Sequence, residues 1–320
     1  DTESIIYAYQ LWGGNCLQEL EGQFSFCIYD TKKQQLFLAR DRAGEKPLYY
    51  WQHSTGLEFA SELKSLMANP SLERKLNPNA FLEYLQTGYA SGDKTFINGV
   101  KKLPAAHYLI YNLPKQEIKI SRYWSVPDQN IHSNESVEDL THQLDSLLSQ
   151  AVKKQLLADV PLGVLLSGGL DSSLITAYAA EHYQGKLKTF HISFPGFKKY
   201  DESSYAKIVA NHFDTEHIEL SGNDFSFDMI NEIMNYYDEP LADSSMLPTY
   251  LVASLTKKHV TVALGGDGGD ELFGGYTTYK DLLQTIERKK ILPQSVRNLI
   301  FGNAKYLPEG FKGRNFLLRL

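Results

Sequence analysis

A glycine-rich loop at residues 167–173, Ser-Gly-Gly-Leu-Asp-Ser-Ser, combines small residues, three hydroxyls and one carboxylate. It follows a short apolar run that predicts a strand and precedes a pattern that predicts a helix. Glycines let the backbone approach a ligand closely, and a helix N-terminus attracts anions. Helix capping alone needs only one such polar residue. The loop is therefore predicted to hold phosphate groups, and the carboxylate of Asp171 beside them predicts an intervening Mg²⁺.

A second loop, at residues 265–276, holds six glycines and three acids and also follows an apolar, strand-like run. In parallel sheets, ligands bind beyond the carboxyl ends of the strands. Both loops should therefore lie at one edge of such a sheet. Asp270 could share Mg²⁺ with Asp171, since two carboxylates without a metal would repel each other.

Two regions of different character must position these loops. At 320 residues the chain is long enough for two domains. Residues 1–125 predict an α+β domain with much antiparallel pairing, and residues 125–136 are polar and aperiodic, which indicates a linker. From 136 to 320, short apolar strands alternate with helices. This alternation predicts an α/β domain built on a parallel sheet with helices on both faces.

Composition excludes several classes of function. The net charge of −6 argues against a basic surface that would bind nucleic acid or an anionic membrane. No apolar run is long enough to span a bilayer. Two cysteines are too few for a disulfide framework. We expect a cytoplasmic protein.

The first loop resembles the pyrophosphate loop of the ATP-pyrophosphatases, which split ATP between its α- and β-phosphates. With the second loop it resembles the synthetase domain of the glutamine-dependent asparagine synthetase B family. Residues 20–26, 40–50 and 102–108 are similar to the back portion of that family's type-2 amidotransferase domain, an Ntn-type glutaminase. The resemblance extends through nearly the whole chain.

The resemblance implies an ATP-dependent ligase. Aspartate would attack the α-phosphate of ATP to form β-aspartyl-AMP and pyrophosphate, and ammonia released from glutamine would then displace AMP to give asparagine. ATP and Mg²⁺ are the implied cofactors, small molecules are the implied partners, and a homodimer is left open. Asp171, Asp267 and Asp270 would be catalytic, with Asp171 and Asp270 holding Mg²⁺. The residues implied to bind ATP or pyrophosphate are Leu165, Ser167, Gly168, Gly169, Leu170, Asp171, Ser172, Ile192, Gly265 and Gly266.

Several departures from the family pattern qualify the expectation. The family's amino-terminal Cys nucleophile has no counterpart, and Asp1 alone matches a residue that contacts glutamine. The helical pattern starts at once and the apolar pattern stops at Leu320, so we expect a fragment cut at both ends that lacks glutaminase activity. Asp267 stands where the family often has Glu. His191, near the predicted adenine site, is interpreted as structural.

Two alternatives remain at this stage. The residues around Asp238–Ser245 lack the Thr-Thr-Ile-Arg stretch associated with aspartate binding, so another carboxylate, on a sugar or small metabolite, could be the acceptor. A non-catalytic ATP-binding homologue is the second alternative.

Overall fold

The computed structural model describes residues 2–127, 134–193, 201–222, 227–291, 294–308, 311 and 314. The chain forms two compact units. The first consists of Asp1–Val137 together with Asp224–Leu251, and the second of Glu138–Asn223 together with Val252–Leu320. A segment from the second half of the sequence therefore belongs to the first unit.

The first unit is built on antiparallel strands, as their alternating side chains and polar connections predict. Its strands are β1 (Ser25–Asp30), β2 (Gln35–Arg40), β3 (Tyr49–His53), β4 (Gly56–Ala60), β5 (Val100–Lys102), β6 (His107–Asn112) and β7 (Glu117–Arg122). They form a four-stranded sheet in the order β1-β2-β6-β7 and a three-stranded sheet in the order β4-β3-β5. Leu38, Leu103 and Leu109 are fully buried in its core.

Helices complete the first unit. They are α1 (Thr2–Trp12), α2 (Cys16–Glu19), α3 (Leu63–Met67), α4 (Pro78–Thr87) and α8 (Phe227–Tyr236), and α9 (Met246–Thr256) begins in its last segment. The side chain of Asn77 caps α4 by accepting from two backbone N–H groups, and Gly88 ends this helix in the left-handed conformation.

The second unit contains a four-stranded parallel sheet. Its strands are β8 (Leu162–Leu165), β9 (Lys188–Ser193), β10 (Glu216–Ser221) and β11 (Val262–Leu264), in the order β10-β9-β8-β11. Its helices are α5 (Val137–Gln155), α6 (Leu170–His182), α7 (Ser203–His212), α10 (Gly269–Phe273), α11 (Thr277–Ile291) and α12 (Gln294–Ala304). None of the helices in the described residues is long and apolar enough to cross a membrane. The predicted fold class, α+β followed by parallel α/β, is confirmed.

The strand order places the two loops side by side. β11 pairs in parallel with β8, with Val262 opposite Leu162 and Leu264 opposite Val164. Val164 is fully buried and packs in one cluster with Leu264. Because the strands run in the same direction, the loops that follow them leave the same edge of the sheet, as predicted.

Candidate functional site

The first loop is shaped by a glycine that no other residue could replace without strain. Gly168 has φ +85°, and a Cβ built on it would lie 2.5 Å from the amide nitrogen of Ala206 and 2.6 Å from the carbonyl carbon of Tyr205. Both are backbone atoms at the start of α7. The loop backbone therefore packs directly on the first turns of α7, and only glycine fits between them.

Two serine hydroxyls in this loop bond within the loop itself. The Ser167 amide donates to Ser172 Oγ at 3.2 Å, and the two hydroxyl oxygens lie 2.9 Å apart. Ser172 Oγ also donates to the Gly169 carbonyl, and the Gly169 amide donates to Ser167 Oγ. These hydroxyls therefore fix the shape of the loop. The groups best placed for an incoming anion are backbone N–H groups in the first turn of α6, which lack intrahelical acceptors.

The second loop meets the first at Asp171. A Cβ on Gly266 would lie 2.9 Å from Asp171 Cβ and 3.0 Å from the Ser172 amide nitrogen. A Cβ on Gly269 would lie 2.6 Å from Asp171 Cγ. Two glycines of the second loop thus lie against half-buried Asp171 in the first turn of α6, Gly266 against its Cβ and backbone and Gly269 against its carboxylate.

The other two acids with predicted roles belong to the second loop. Asp267 is exposed, and its carboxylate folds over the preceding backbone, where a Cβ on Gly265 would lie 2.7 Å from Asp267 Oδ2. Asp270 is half-buried, and its carboxylate packs against Gly275 so closely that a Cβ there would collide with it. Asp270 directly follows Gly269, so the Asp171 carboxylate lies beside the backbone that carries Asp270.

Two of the residues that the resemblance implies for ATP binding lie on neighbouring strands. Leu165 ends β8, Ile192 lies on β9, and both are half-buried and pack against the same apolar cluster, which contains Phe190. Leu170 is different, because 84% of its side chain is exposed at the start of α6.

The structure tests whether these residues suit a divalent cation. Within the described residues there is no group of three or more His, Cys, Asp or Glu side chains arranged to hold a metal. Mg²⁺ bound with nucleotides typically takes one or two carboxylates and completes its shell with phosphate oxygens and water. Asp171 and Asp270 stand on adjoining glycine-rich loops and supply two carboxylates, the type and number of protein ligands that such a cation takes.

A tyrosine–glutamate hydrogen bond closes the second loop, and sequence reasoning did not single it out. Tyr276 Oη donates to Glu271 Oε1 at 2.6 Å. This bond raises the pKa of Tyr276 to about 12 and lowers the pKa of Glu271. The two side chains brace the loop that carries Asp270.

In the first unit, the motif that resembles the amidotransferase domain forms a buried loop scaffold. Asp41, 1% exposed, accepts from the amides of Glu45 and Lys46, both at 3.0 Å. Arg40 donates to the Lys46 carbonyl at 2.9 Å and to the Leu103 carbonyl at 2.7 Å. Burial lowers the pKa of Arg40. These charges hold the backbone of residues 41–46.

Asp1 and Cys27 also belong to the first unit. Asp1, the predicted glutamine contact, lies outside the described residues. Cys27 is unpaired and packs against the core, and burial raises the pKa of its thiol to about 11. A thiol with so high a pKa is a packing residue and not a nucleophile at neutral pH.

Acidic residues near 239 bind the second segment of the first unit to the rest of it. Glu239 Oε2 lies 2.6 Å from Lys102 Nζ, and Glu239 Oε1 accepts from the Phe96 amide at 2.8 Å. Asp238 accepts from the Leu63 amide at the start of α3. Sequence reasoning missed these roles because the partners lie more than a hundred residues away along the chain.

Comparison with known proteins identifies both halves of the chain. Residues 143–318, more than half of the chain, match the asparagine synthase family, and residues 1–124 match the glutamine amidotransferase domain family.

Individual relatives agree with these matches. A Methanocaldococcus jannaschii protein, provisionally named as a second glutamine-hydrolyzing asparagine synthetase, is 40% identical over 87% of this chain and 54% of its own length. Glutamine-hydrolyzing asparagine synthetase 1 of Bacillus subtilis is 33% identical over 100% of this chain and 50% of its own length. The chain spans about half the length of the curated relatives it matches.

Proposed function

Because the chain belongs to the asparagine synthase family, we propose that its second unit carries the ATP-consuming step of a glutamine-dependent amide synthesis. The substrate carboxylate would be the side chain of aspartate and the product asparagine. The observation that carries the proposal is the meeting of the two glycine-rich loops at Asp171, where Gly266 and Gly269 lie against it.

The first loop would hold the triphosphate. Its backbone follows β8 and enters α6, so the unpaired N–H groups of the first helical turn face incoming anions. The internal bonds of Ser167 and Ser172 keep these donors in place before ATP arrives. Donors that are already oriented stabilise charge without reorganising during the reaction.

The reaction would proceed in two displacements. An oxygen of the aspartate side chain attacks the α-phosphorus, the bond to the β-phosphate oxygen breaks, and pyrophosphate leaves with those electrons. Ammonia then attacks the acyl carbon, AMP leaves with the oxygen that bridged it to the acyl group, and the amide loses a proton. Bound Mg²⁺ would neutralise charge that develops on the leaving pyrophosphate.

Three aspartates would serve these displacements. Asp171 and Asp270 would hold the cation through carboxylate oxygens, since their loops adjoin at Gly269. Asp267 is exposed in the second loop, and its side chain is shorter than that of the glutamate that the family often has at this position. We assign Asp267 to the second displacement, in which its carboxylate can accept a proton from the attacking ammonia.

The first unit would belong to the glutamine-hydrolysing half of the full-length protein. Arg40 and Asp41 hydrogen-bond to the backbone of Glu45 and Lys46 in this unit. Asp1 would contact the amine of glutamine. Because Cys16 and Cys27 are unpaired, we place the protein in the cytoplasm, where thiols stay reduced.

The test is aspartate-dependent exchange of labelled pyrophosphate into ATP by the full-length protein. We expect exchange in the unmodified protein, and we expect Asp171→Asn to lower its rate by about 10²–10³-fold through lost electrostatic stabilisation. Asp159→Asn is the matched control, because Asp159 is exposed in the turn before β8, at the amino end of that strand. It makes the same change of charge away from the loops and should keep the rate.

Two results would contradict the proposal. If exchange required a different carboxylate substrate instead of aspartate, the chemistry would be as proposed but aspartate would not be the substrate. ATP binding without exchange or AMP formation, unaffected by Asp171→Asn, would show a nucleotide-binding protein that does not catalyse the reaction.

A further inference from the structure

A buried histidine connects the central sheet to the first loop. His191 lies on β9 with 6% of its surface exposed. Its Nδ1 is 3.1 Å from the carbonyl oxygen of Leu166, and its Nε2 is 3.1 Å from Ser203 Oγ. Leu166 directly precedes the loop, and Ser203 is the first residue of α7, on which the loop packs. One imidazole therefore contacts both supports of the loop.

The hydrogen-bond partners determine what each ring nitrogen does. A carbonyl oxygen only accepts, so Nδ1 carries a proton and donates it to Leu166. On the other side, Ser203 Oγ lies within hydrogen-bond distance of both Nε2 and the Asp201 carboxylate, and its one proton can go to either of them. The Ser203 amide donates to the same Asp201 oxygen at 3.1 Å. These bonds lower the pKa of Asp201. The Asp201–Ser203 pair thus holds the imidazole in one orientation, with Nδ1 toward Leu166.

Leu166 stands where the strand ends and the loop begins. Its amide donates to the Phe190 carbonyl at 2.8 Å, which continues the pairing of β8 with β9 by one residue. Its carbonyl accepts from His191, the residue after Phe190. The peptide groups on both sides of Leu166 are therefore fixed, and they set the direction in which the backbone enters Ser167 and Gly168.

Charged groups surround this histidine on the neighbouring elements. On β10, Glu219 stands opposite His191 in the strand register. His217, on the same strand, has its Nδ1 3.0 Å from Thr189 Oγ1. On α7, Lys207 forms an ion pair with Glu219 at 2.6 Å. Lys207 pairs with Glu219, and Asp201 bonds to Ser203, so the nearby charges have partners of their own. The buried imidazole is stabilised by its hydrogen bonds to Leu166 and Ser203.

We propose that His191 is a positioning residue for the ATP site, which it serves by fixing the Leu166 carbonyl and with it the pyrophosphate-binding loop. This inference rests on the proposed function and extends it to a residue that touches no substrate. Loss of the Nδ1 bond should loosen the loop and weaken ATP binding. The chemical step on bound ATP should change much less.

The test compares two amide substitutions in the full-length protein. His191→Asn retains an N–H group near the position of Nδ1 and loses the contact to Ser203. His191→Gln retains a group near Nε2 and loses the contact to Leu166. We expect His191→Gln to raise the KM for ATP in pyrophosphate exchange by about tenfold with little change in kcat, which corresponds to one lost hydrogen bond. The KM of His191→Asn for ATP should stay within about threefold of that of the unmodified protein.

Ser203→Ala supplies an independent measurement if the histidine variants fold poorly. It removes the hydroxyl that holds the ring but keeps the Nδ1 bond to Leu166, so the KM for ATP should rise by no more than about threefold, as for His191→Asn, and the KM for aspartate should be unchanged. Equal KM values for His191→Gln and the unmodified protein would overturn the inference, as would equal losses in both amide variants. Absence of exchange in the unmodified protein would instead refute the proposed function.

Discussion

Replacing Gly168 with alanine perturbs the first loop at the point where the structure leaves no space. Two costs add together. An alanine at φ +85° is in the left-handed region, which costs about 1–2 kcal/mol for a residue with a Cβ. Its Cβ would also stand 2.5 Å from the backbone of Ala206, and overpacking of this kind costs about 1–3 kcal/mol. The sum is about 2–5 kcal/mol.

Gly185 is the matched control for this substitution. It has φ +106°, and a Cβ built on it would meet no atom within 4 Å. Gly185→Ala therefore carries only the conformational cost, about 1–2 kcal/mol. The difference between the two variants isolates the contact between the loop and α7.

Urea unfolding and hydrogen exchange measure the two effects. We expect a lower unfolding midpoint for Gly168→Ala than for Gly185→Ala, with loss of amide protection at the start of α7 in the first variant alone. Aspartate-dependent pyrophosphate exchange should fall in Gly168→Ala and persist in Gly185→Ala. Equal midpoints, equal protection and equal exchange in the two variants would refute the packing argument.

Three further results are expected. Glu239→Gln should destabilise the protein by about 3 kcal/mol, and Glu219→Gln by about 0–1 kcal/mol, in denaturation at pH 7. Both ion pairs are 2.6 Å long, but only the pair of Glu239 is largely buried, so equal losses would contradict the reasoning. Burial, aided by a hydrogen bond to Asp145, raises the pKa of Tyr178 to about 12. The protonated Tyr178 hydroxyl therefore stabilises the folded protein fully below pH 10, the ordinary pKa of tyrosine. This contribution to the free energy of unfolding should be lost between about pH 10 and 12 in alkaline unfolding. In Tyr178→Phe, stability should fall less steeply between about pH 10 and 12. An unchanged fall would show that another group causes it. Asp267→Glu should retain asparagine formation, whereas Asp267→Asn should lower its rate by about 10²-fold, since only the first keeps a carboxylate that can accept the proton from ammonia.

Local patterns were sufficient to predict the elements and the meeting of the loops. The apolar run of β8 and the run of β11 each lead into a glycine-rich loop, and parallel sheets collect such loops at one edge. The structure has β8 and β11 as direct neighbours. Gly168 was predicted to permit close approach, and its φ of +85° gives the reason a side chain is excluded.

Contacts between distant parts of the chain were not predictable in the same way. Glu239 bonds to Phe96 and Lys102, and no periodicity relates residues so far apart. Ser167 and Ser172 were predicted to bind ATP or pyrophosphate, and residue type alone did not predict that their hydroxyls also bond to each other within the loop. Such choices between internal and external partners depend on three-dimensional geometry that residue type alone does not specify.

The most direct test of the central claim follows an oxygen atom. The full-length protein would be supplied with ATP, Mg²⁺, glutamine and aspartate labelled with ¹⁸O in its side-chain carboxylate. If that carboxylate attacks the α-phosphorus at the paired loops, one ¹⁸O atom will appear in the phosphate of AMP for each asparagine formed. AMP without the label, or label found in inorganic phosphate with ADP as the nucleotide product, would contradict the account.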